Sequence, residues 1–162
     1  MSNMSKAKII SVEQTEKAGL FTICFENCTE SELEKFILKF KDDAFLQRDL
    51  QIILAALQRM LRTSGFLERY FRPEGKIKDN VCALPITSGK LRLYCLRLSE
   101  SVMIVGNGGQ KNTKTYQESE ELQGYVISLQ KLDELIKAGI KRGDITIEER
   151  VIEGIDDKIF NL

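Results

Sequence analysis

The sequence predicts an α+β fold: a mostly antiparallel, mixed β-sheet with a helical pair packed on it, followed by a C-terminal helix and a β-like tail. Three observations lead there. Runs rich in β-branched and aromatic residues open the chain at 8–12 and 20–25, apolar residues at helical spacing occupy 33–64 and 122–138, and a strand–turn–strand pattern lies between them at 90–105. Strands and helices that segregate in this way describe α+β architecture. With 162 residues, 43% hydrophobic and 30% charged, the chain has material for one domain with a sizeable core and not for two. That single domain, 1–162, is expected to have its core at about 30–130, an N-terminal hairpin at 8–26 and a C-terminal extension at 131–162. The end of the extension, 143–162, is expected to be dispensable for folding.

Each element has its own signal. The strands at 8–12 and 20–25 are separated by a polar stretch in which Gly19 helps the turn, which predicts a hairpin. Thr29 followed by Glu32 fits a capping box, and Leu33, Phe36, Ile37 and Phe40 then share one helix face. A second helix is expected over 44–64, with Phe45, Leu46, Leu50, Ile53, Leu54, Leu57 and Leu61 as its apolar stripe and Gly65 as its stop. That stripe suits a core face, and a partner-binding face would read the same way. Residues 66–79 carry Pro73 and Gly75 without a period and predict a short helical turn and a loop; 81–86 predicts a strand, with Pro85 near its end or on an edge. After Tyr116, Ser119 can cap a third helix whose first turn holds Glu120 and Glu121, favourable at the positive end of the helix dipole. Its apolar positions are Leu122, Tyr125, Val126, Leu129, Leu132, Leu135 and Ile136, and 145–152 then predicts a final strand or arm.

Composition narrows the function classes. No apolar run approaches the roughly 20 residues that span a bilayer, and residues 1–8 lack an apolar segment of signal-peptide type, so a cytoplasmic protein is expected. Cys24, Cys28, Cys82 and Cys95 fit reduced thiols in that compartment. With no histidine, a structural zinc site needs all four thiols together, and no metal or other cofactor is expected. The formal net charge is zero, but residues 62–116 hold ten Lys/Arg against four acids, leaving a basic middle of plus six and a remainder of minus six. Such a middle suits an anion or nucleic-acid site and equally an ordinary solvated surface.

Chemistry concentrates at 90–116. A strand bearing Arg92 and Arg97 turns at Ser99-Glu100-Ser101 into an apolar strand, 102–105, which is expected to run out into Gly106-Asn107-Gly108-Gly109. Gln110, Lys111, Asn112, Thr113, Lys114 and Tyr116 then lie just beyond the sheet. The glycines allow a backbone anion nest, or merely a turn or a bulge at a strand end. RNA cleavage by attack of the ribose 2′-OH needs cations for the developing phosphorane charge and a base for the 2′ proton. Arginine suits the first task because its fork donates to two phosphate oxygens and stays charged. Arg92 and Arg97 are therefore candidates, although strand alternation puts them on opposite faces unless the strand bulges. Lys111 and Lys114 can bind phosphate or act as base, and Tyr116 can donate a proton, stack on a base or pack on the next helix.

The two arginines, the strand 102–105 and the run Gly108-Gly109-Gln110-Lys111-Asn112-Thr113-Lys114-Thr115 resemble the RelE/HigB group of bacterial toxin–antitoxin toxins, over roughly 32–129. The resemblance implies a RelE-like sheet and an endoribonuclease that cleaves mRNA, usually in the ribosomal A site. It also implies silencing by a cognate antitoxin protein. Arg92, Arg97, Lys111 and Lys114 match basic positions of the family motif, whereas Tyr116 stands where members carry proline and is a candidate on its own chemistry. Lys90, Gln110, Asn112 and Thr113 complete the expected catalytic and RNA-binding set, with no metal and no membrane partner. The alternative is a non-catalytic RNA- or protein-binding module on the same fold.

Overall fold

Residues 5–74, 79–85, 89–111 and 120–162 are described by the computed structural model. The opening hairpin is β1 (Lys6–Gln14) and β2 (Gly19–Phe25), antiparallel, with Thr15 Oγ accepting from the Lys17 and Ala18 amides in the turn. The helices α1 (Glu32–Phe40) and α2 (Gln47–Arg59) follow. After a 3-10 turn at Glu68–Tyr70 come β3 (Arg72–Pro73), β4 (Val81–Leu84), β5 (Leu91–Arg97) and β6 (Val102–Gln110). Helix α3 (Glu120–Arg142), a small hairpin β7 (Thr146–Glu148) and β8 (Val151–Glu153), and β9 (Phe160–Asn161) complete the order.

Among the described residues, seven strands form one sheet in the order β3-β4-β5-β6-β2-β1-β9. Every pairing is antiparallel except β2 with β6, which run parallel from Gly19 beside Val102 to Thr22 beside Val105. The fold is therefore α+β with a mostly antiparallel mixed sheet, and β5 and β6 lie at its centre as adjacent antiparallel strands. The opening hairpin belongs to this sheet through β2. Alternation along the strands divides two cores. Leu91, Leu93, Cys95, Met103 and Val105 face α1 and α2, while Tyr94, Leu96, Val102 and Ile104 face α3. The sheet is thus covered on both faces.

Local signals shift in instructive ways. The capping box of α1 is Ser31 with Glu34, not Thr29 with Glu32: Ser31 Oγ accepts the Glu34 amide at 3.2 Å and the Glu34 carboxylate accepts the Ser31 amide at 3.2 Å. Glu32 is released from that duty and buried. Helix α2 passes into a wide π-turn, Met60–Ser64, and stops at Gly65 (φ 78°), whose amide donates to the Met60 carbonyl at 2.7 Å. Phe45 leaves the apolar stripe and is 82% exposed. Asp43 Oδ1 accepts the Phe45 and Leu46 amides, holding a turn before α2 in which Leu46, not Phe45, points inward. Leu135 is also exposed on α3, where Asp133 is instead buried, bonded to Asn80 Nδ2 at 2.9 Å and paired with Lys137 at 2.8 Å. Ser119 lies outside the described residues.

Two boundaries move further. β6 does not end at Val105 but carries the glycine stretch to Gln110 inside the sheet. The last part of the chain is not dispensable: Ile145, Ile152, Ile155, Phe160 and Leu162 are buried in the α3-side core, and β9 pairs with β1. Burial of that much apolar surface makes the segment part of the folding unit.

The glycines of β6 are there for close approach. A Cβ on Gly108 would stand 1.8 Å from the Arg92 carbonyl oxygen, on Gly109 2.9 Å from Leu122, and on Gly106 3.3 Å from Leu129. Gly124, exposed in α3, has nothing within 4 Å of such a Cβ. Gly108→Ala should lower stability by roughly 3 kcal/mol, since the obstacle is backbone that cannot swing away. Gly124→Ala should instead raise it by up to about 1 kcal/mol through helix propensity. Urea denaturation of the two variants checks the contrast.

Candidate functional site

β5 and β6 pair in register from Leu91 beside Gln110 to Leu93 beside Gly108, and then resume at Cys95 beside Val105. Two steps on β5 thus oppose three on β6, so Gly106-Asn107 forms a bulge. Asn107 turns inward there, its Oδ1 accepting the Gly108 amide at 2.7 Å and its Nδ2 reaching Glu32 Oε1 at 3.4 Å. Lys39, from the end of α1, donates to the Gly108 carbonyl at 2.7 Å and to Tyr125 Oη of α3 at 3.1 Å, and pairs with Glu121 at 3.4 Å. Burial draws the Lys39 ammonium below the usual lysine value, with Glu121 pulling it back. The Tyr125 hydroxyl is pushed above the usual range by burial and by its hydrogen bond to Glu121. This bracket fixes the strand directly beside Arg92.

Arg92 lies on the α3 face of β5, paired with Gly109, and is only 3% exposed. Its Nη1 makes a long contact of 3.4 Å to the Leu91 carbonyl, and among the described residues its Nε has no hydrogen-bond partner. A buried donor left in that state costs about 1–3 kcal/mol, more for a charged group. Burial lowers the Arg92 pKa, repulsion from Arg72 adds to that, and Glu74 and Tyr94 oppose it.

The groups around Arg92 come from neighbouring strands. Arg72, Ala83 and Tyr94 stand in one row across β3, β4 and β5, and Arg92 follows two residues from Tyr94 on the same face. Glu74, just past β3, lies 3.9 Å from Arg72 Nε. Its carboxyl is raised above the usual carboxylate value by burial, while Arg72, Lys111 and Arg92 pull it down. Lys111 continues the register, its amide donating to the Lys90 carbonyl at 2.7 Å. Arg72, Arg92 and Lys111 thus all act electrostatically on the partly buried Glu74 carboxyl.

Arg92, Lys111, Lys90 and Gln110 are brought to one end of the β5–β6 pair. Gln110 is exposed beside Leu91, and the Lys90 amide donates to Asp49 of α2 at 2.7 Å. Arg97 is elsewhere. It sits on the opposite face at the far end of β5, roughly 16 Å along the strand, and its Nε donates to the Phe66 carbonyl at 2.6 Å. Asn112, Thr113, Lys114 and Tyr116 lie outside the described residues. Arg72 and Glu74 escape a sequence reading because 66–79 has no period, although a proline flanked by charges before a strand is the mark of an edge strand. The glycine stretch acts as a bulge and close-packing segment within β6. No group of three or more metal-ligating side chains is found among the described residues, and none of their helices is long and apolar enough to cross a membrane. Compared with known proteins, the chain matches no family model, no curated protein and no solved structure.

Because burial raises Glu74, the native state holds its proton more tightly than the unfolded chain does. Its contribution to stability is therefore full below the ordinary value of 4.5 and is lost as pH rises through the native pKa. Glu74→Gln should flatten that part of the profile. Urea midpoints measured from about pH 4 to pH 7 give the slope.

Proposed function

We propose that this chain is a RelE/HigB-like endoribonuclease of a toxin–antitoxin system, acting on mRNA at or off the ribosome and held in check by a cognate antitoxin. The observation that carries the reading is the buried Arg92 guanidinium, whose Nε has no hydrogen-bond partner among the described residues and which acts, with Arg72 and Lys111, on the Glu74 carboxyl. A phosphate supplies the acceptors that such a group lacks, and arginine forks fit its oxygens. The order of a strand, a helical pair and then the strands β3 to β6 also supports the reading.

In this reading Arg92, Arg72 and Lys111 bear the charge that develops on phosphorus, and Glu74 takes the proton of the attacking 2′-OH. The P–O2′ bond forms as the P–O5′ bond breaks, leaving a cyclic 2′,3′-phosphate and a 5′-hydroxyl whose proton comes from a lysine ammonium or water. A carboxylate raised by burial suits general base catalysis near neutral pH better than an ordinary surface one. A second reading, a non-catalytic RNA- or protein-binding module, is favoured by α3 lying across the sheet face and by Arg97 being committed to Phe66.

Induced expression should arrest growth of a bacterial host, and the purified protein should cut RNA, free or on ribosomes. Arg92→Ala should lower cleavage by two to three orders of magnitude, the equivalent of about 2.7 to 4 kcal/mol of lost transition-state stabilisation. Glu74→Gln should lower it roughly 100-fold or more while leaving RNA binding intact. Lys111→Ala should act mainly on binding, with an effect that shrinks at low salt. RNA bound but never cut by the wild type would select the binding module.

A further inference from the structure

The four cysteines fall into two pairs, one buried in the sheet and one partly exposed at the end of β2, where burial and the neighbouring Cys28 still push the Cys24 thiol up. Cys82 and Cys95 oppose each other across β4 and β5, buried among apolar side chains. Burial pushes Cys82 up to about 12 and Cys95 well above the ordinary thiol value, which makes both poor nucleophiles.

Cys24 and Cys28 are partly exposed where β2 leaves the sheet for α1. A turn closed by the Cys28 amide on the Phe25 carbonyl, at 3.0 Å, folds the two back towards each other. The Cys24 thiol lies 3.8 Å from the Cys28 carbonyl oxygen, so its sulfur already sits over the residue it would join. Cys28 Sγ is 3.2 Å from Lys35 Nζ. Glu32 holds that ammonium at 2.9 Å, and it stands 5.6 Å over the Phe25 ring, so its position is set by three groups besides solvent. Burial pulls the Lys35 pKa down, but its bonds to Glu32 and Cys28 outweigh this and keep the ammonium charged.

We propose that Cys28 is a peroxide-reactive thiol, activated by Lys35 and resolved by Cys24 to an intramolecular disulfide. The Cys28 sulfur attacks an oxygen of a hydroperoxide, the O–O bond breaks, and sulfur is oxidised to a sulfenic acid while the peroxide leaves as an alcohol or water carrying the thiol proton. The Cys24 sulfur then attacks the sulfenic sulfur, and water departs with the Cys24 proton. The Lys35 ammonium stabilises negative charge on the Cys28 sulfur during the first step. The disulfide would close a short loop at the entrance to α1, next to Glu32 and Asn107, which brace the β6 bulge.

The test is peptide mapping of the full chain after treatment with hydrogen peroxide. The expected product is a linked Cys24–Cys28 peptide lacking two hydrogens, with Cys82 and Cys95 still reduced. Cys24→Ser should leave a sulfenic acid on Cys28 that dimedone traps, and Lys35→Met should slow the reaction by roughly three- to tenfold. Equal oxidation at Cys82 or Cys95, disulfide-linked dimers as the main product, thiols that stay reduced, or a wild-type rate in Lys35→Met would each overturn the proposal. The wild-type map needs no variant to fold, and it is independent of whether the protein cleaves RNA.

Discussion

The close approach of β6 to its neighbours is the constraint on which the rest depends. At Gly106, Gly108 and Gly109 the strand has no room for a side chain, because Leu129, the β5 backbone and Leu122 occupy the space. Sheet hydrogen bonds are thereby kept while α3 settles close to the strand. The bulge at Gly106-Asn107 ends the parallel pairing with β2 after Val105, where Thr22 Oγ takes over by donating to the Val105 carbonyl at 2.8 Å and accepting the Leu33 amide at 3.3 Å. A single hydroxyl therefore ties the central strand to the first turn of α1. Lys39 closes the other side of the bulge against α3.

That bracket explains why Arg92 can be kept buried. A guanidinium with an unsatisfied Nε is unfavourable, and a loose strand would relax to let it reach water. Here the strand opposite is fixed at Gly108 and Gly109, and the edge strand β3 adds Arg72 and Glu74 from the side. The cluster is cationic on balance and partly desolvated, so an arriving anion meets stronger electrostatics than at an open surface. The carboxylate within it tempers the repulsion between the arginines.

Much of this arrangement was legible in the residues. The alternation of 91–98 and 102–105 carries the central antiparallel pair, and the odd spacing of Arg92 and Arg97 carries their placement on opposite faces. The stripes of α2 and α3 reveal their buried sides. What escaped are positions where a local signal competes with a tertiary one. Ser31-Glu34 and Thr29-Glu32 are both plausible boxes, and only the burial of Glu32 against Asn107 separates them. The glycine run reads as a loop because strands avoid glycine, yet it is a strand because helix side chains need the space. Glu74 acquires its character from burial, opposed by Arg72 beside it and by Arg92 and Lys111, which lie far from it in sequence.

The parallel pairing of β2 with β6 also sets how the chain reaches this structure. Thr22 and Val105 are 83 positions apart, and the chain between them, with α1, α2, β3, β4 and β5, forms the loop that their contact closes. Hairpins β1–β2 and β5–β6 can form from neighbouring sequence, but joining them pays a long-loop entropy before the two cores exist. Folding is therefore expected to be limited by one late, non-local docking of preformed hairpins, with the helices α1 and α2 waiting on it. A population with assembled hairpins and an unjoined sheet would expose the edges of both β2 and β6, the surfaces most open to mispairing with another chain.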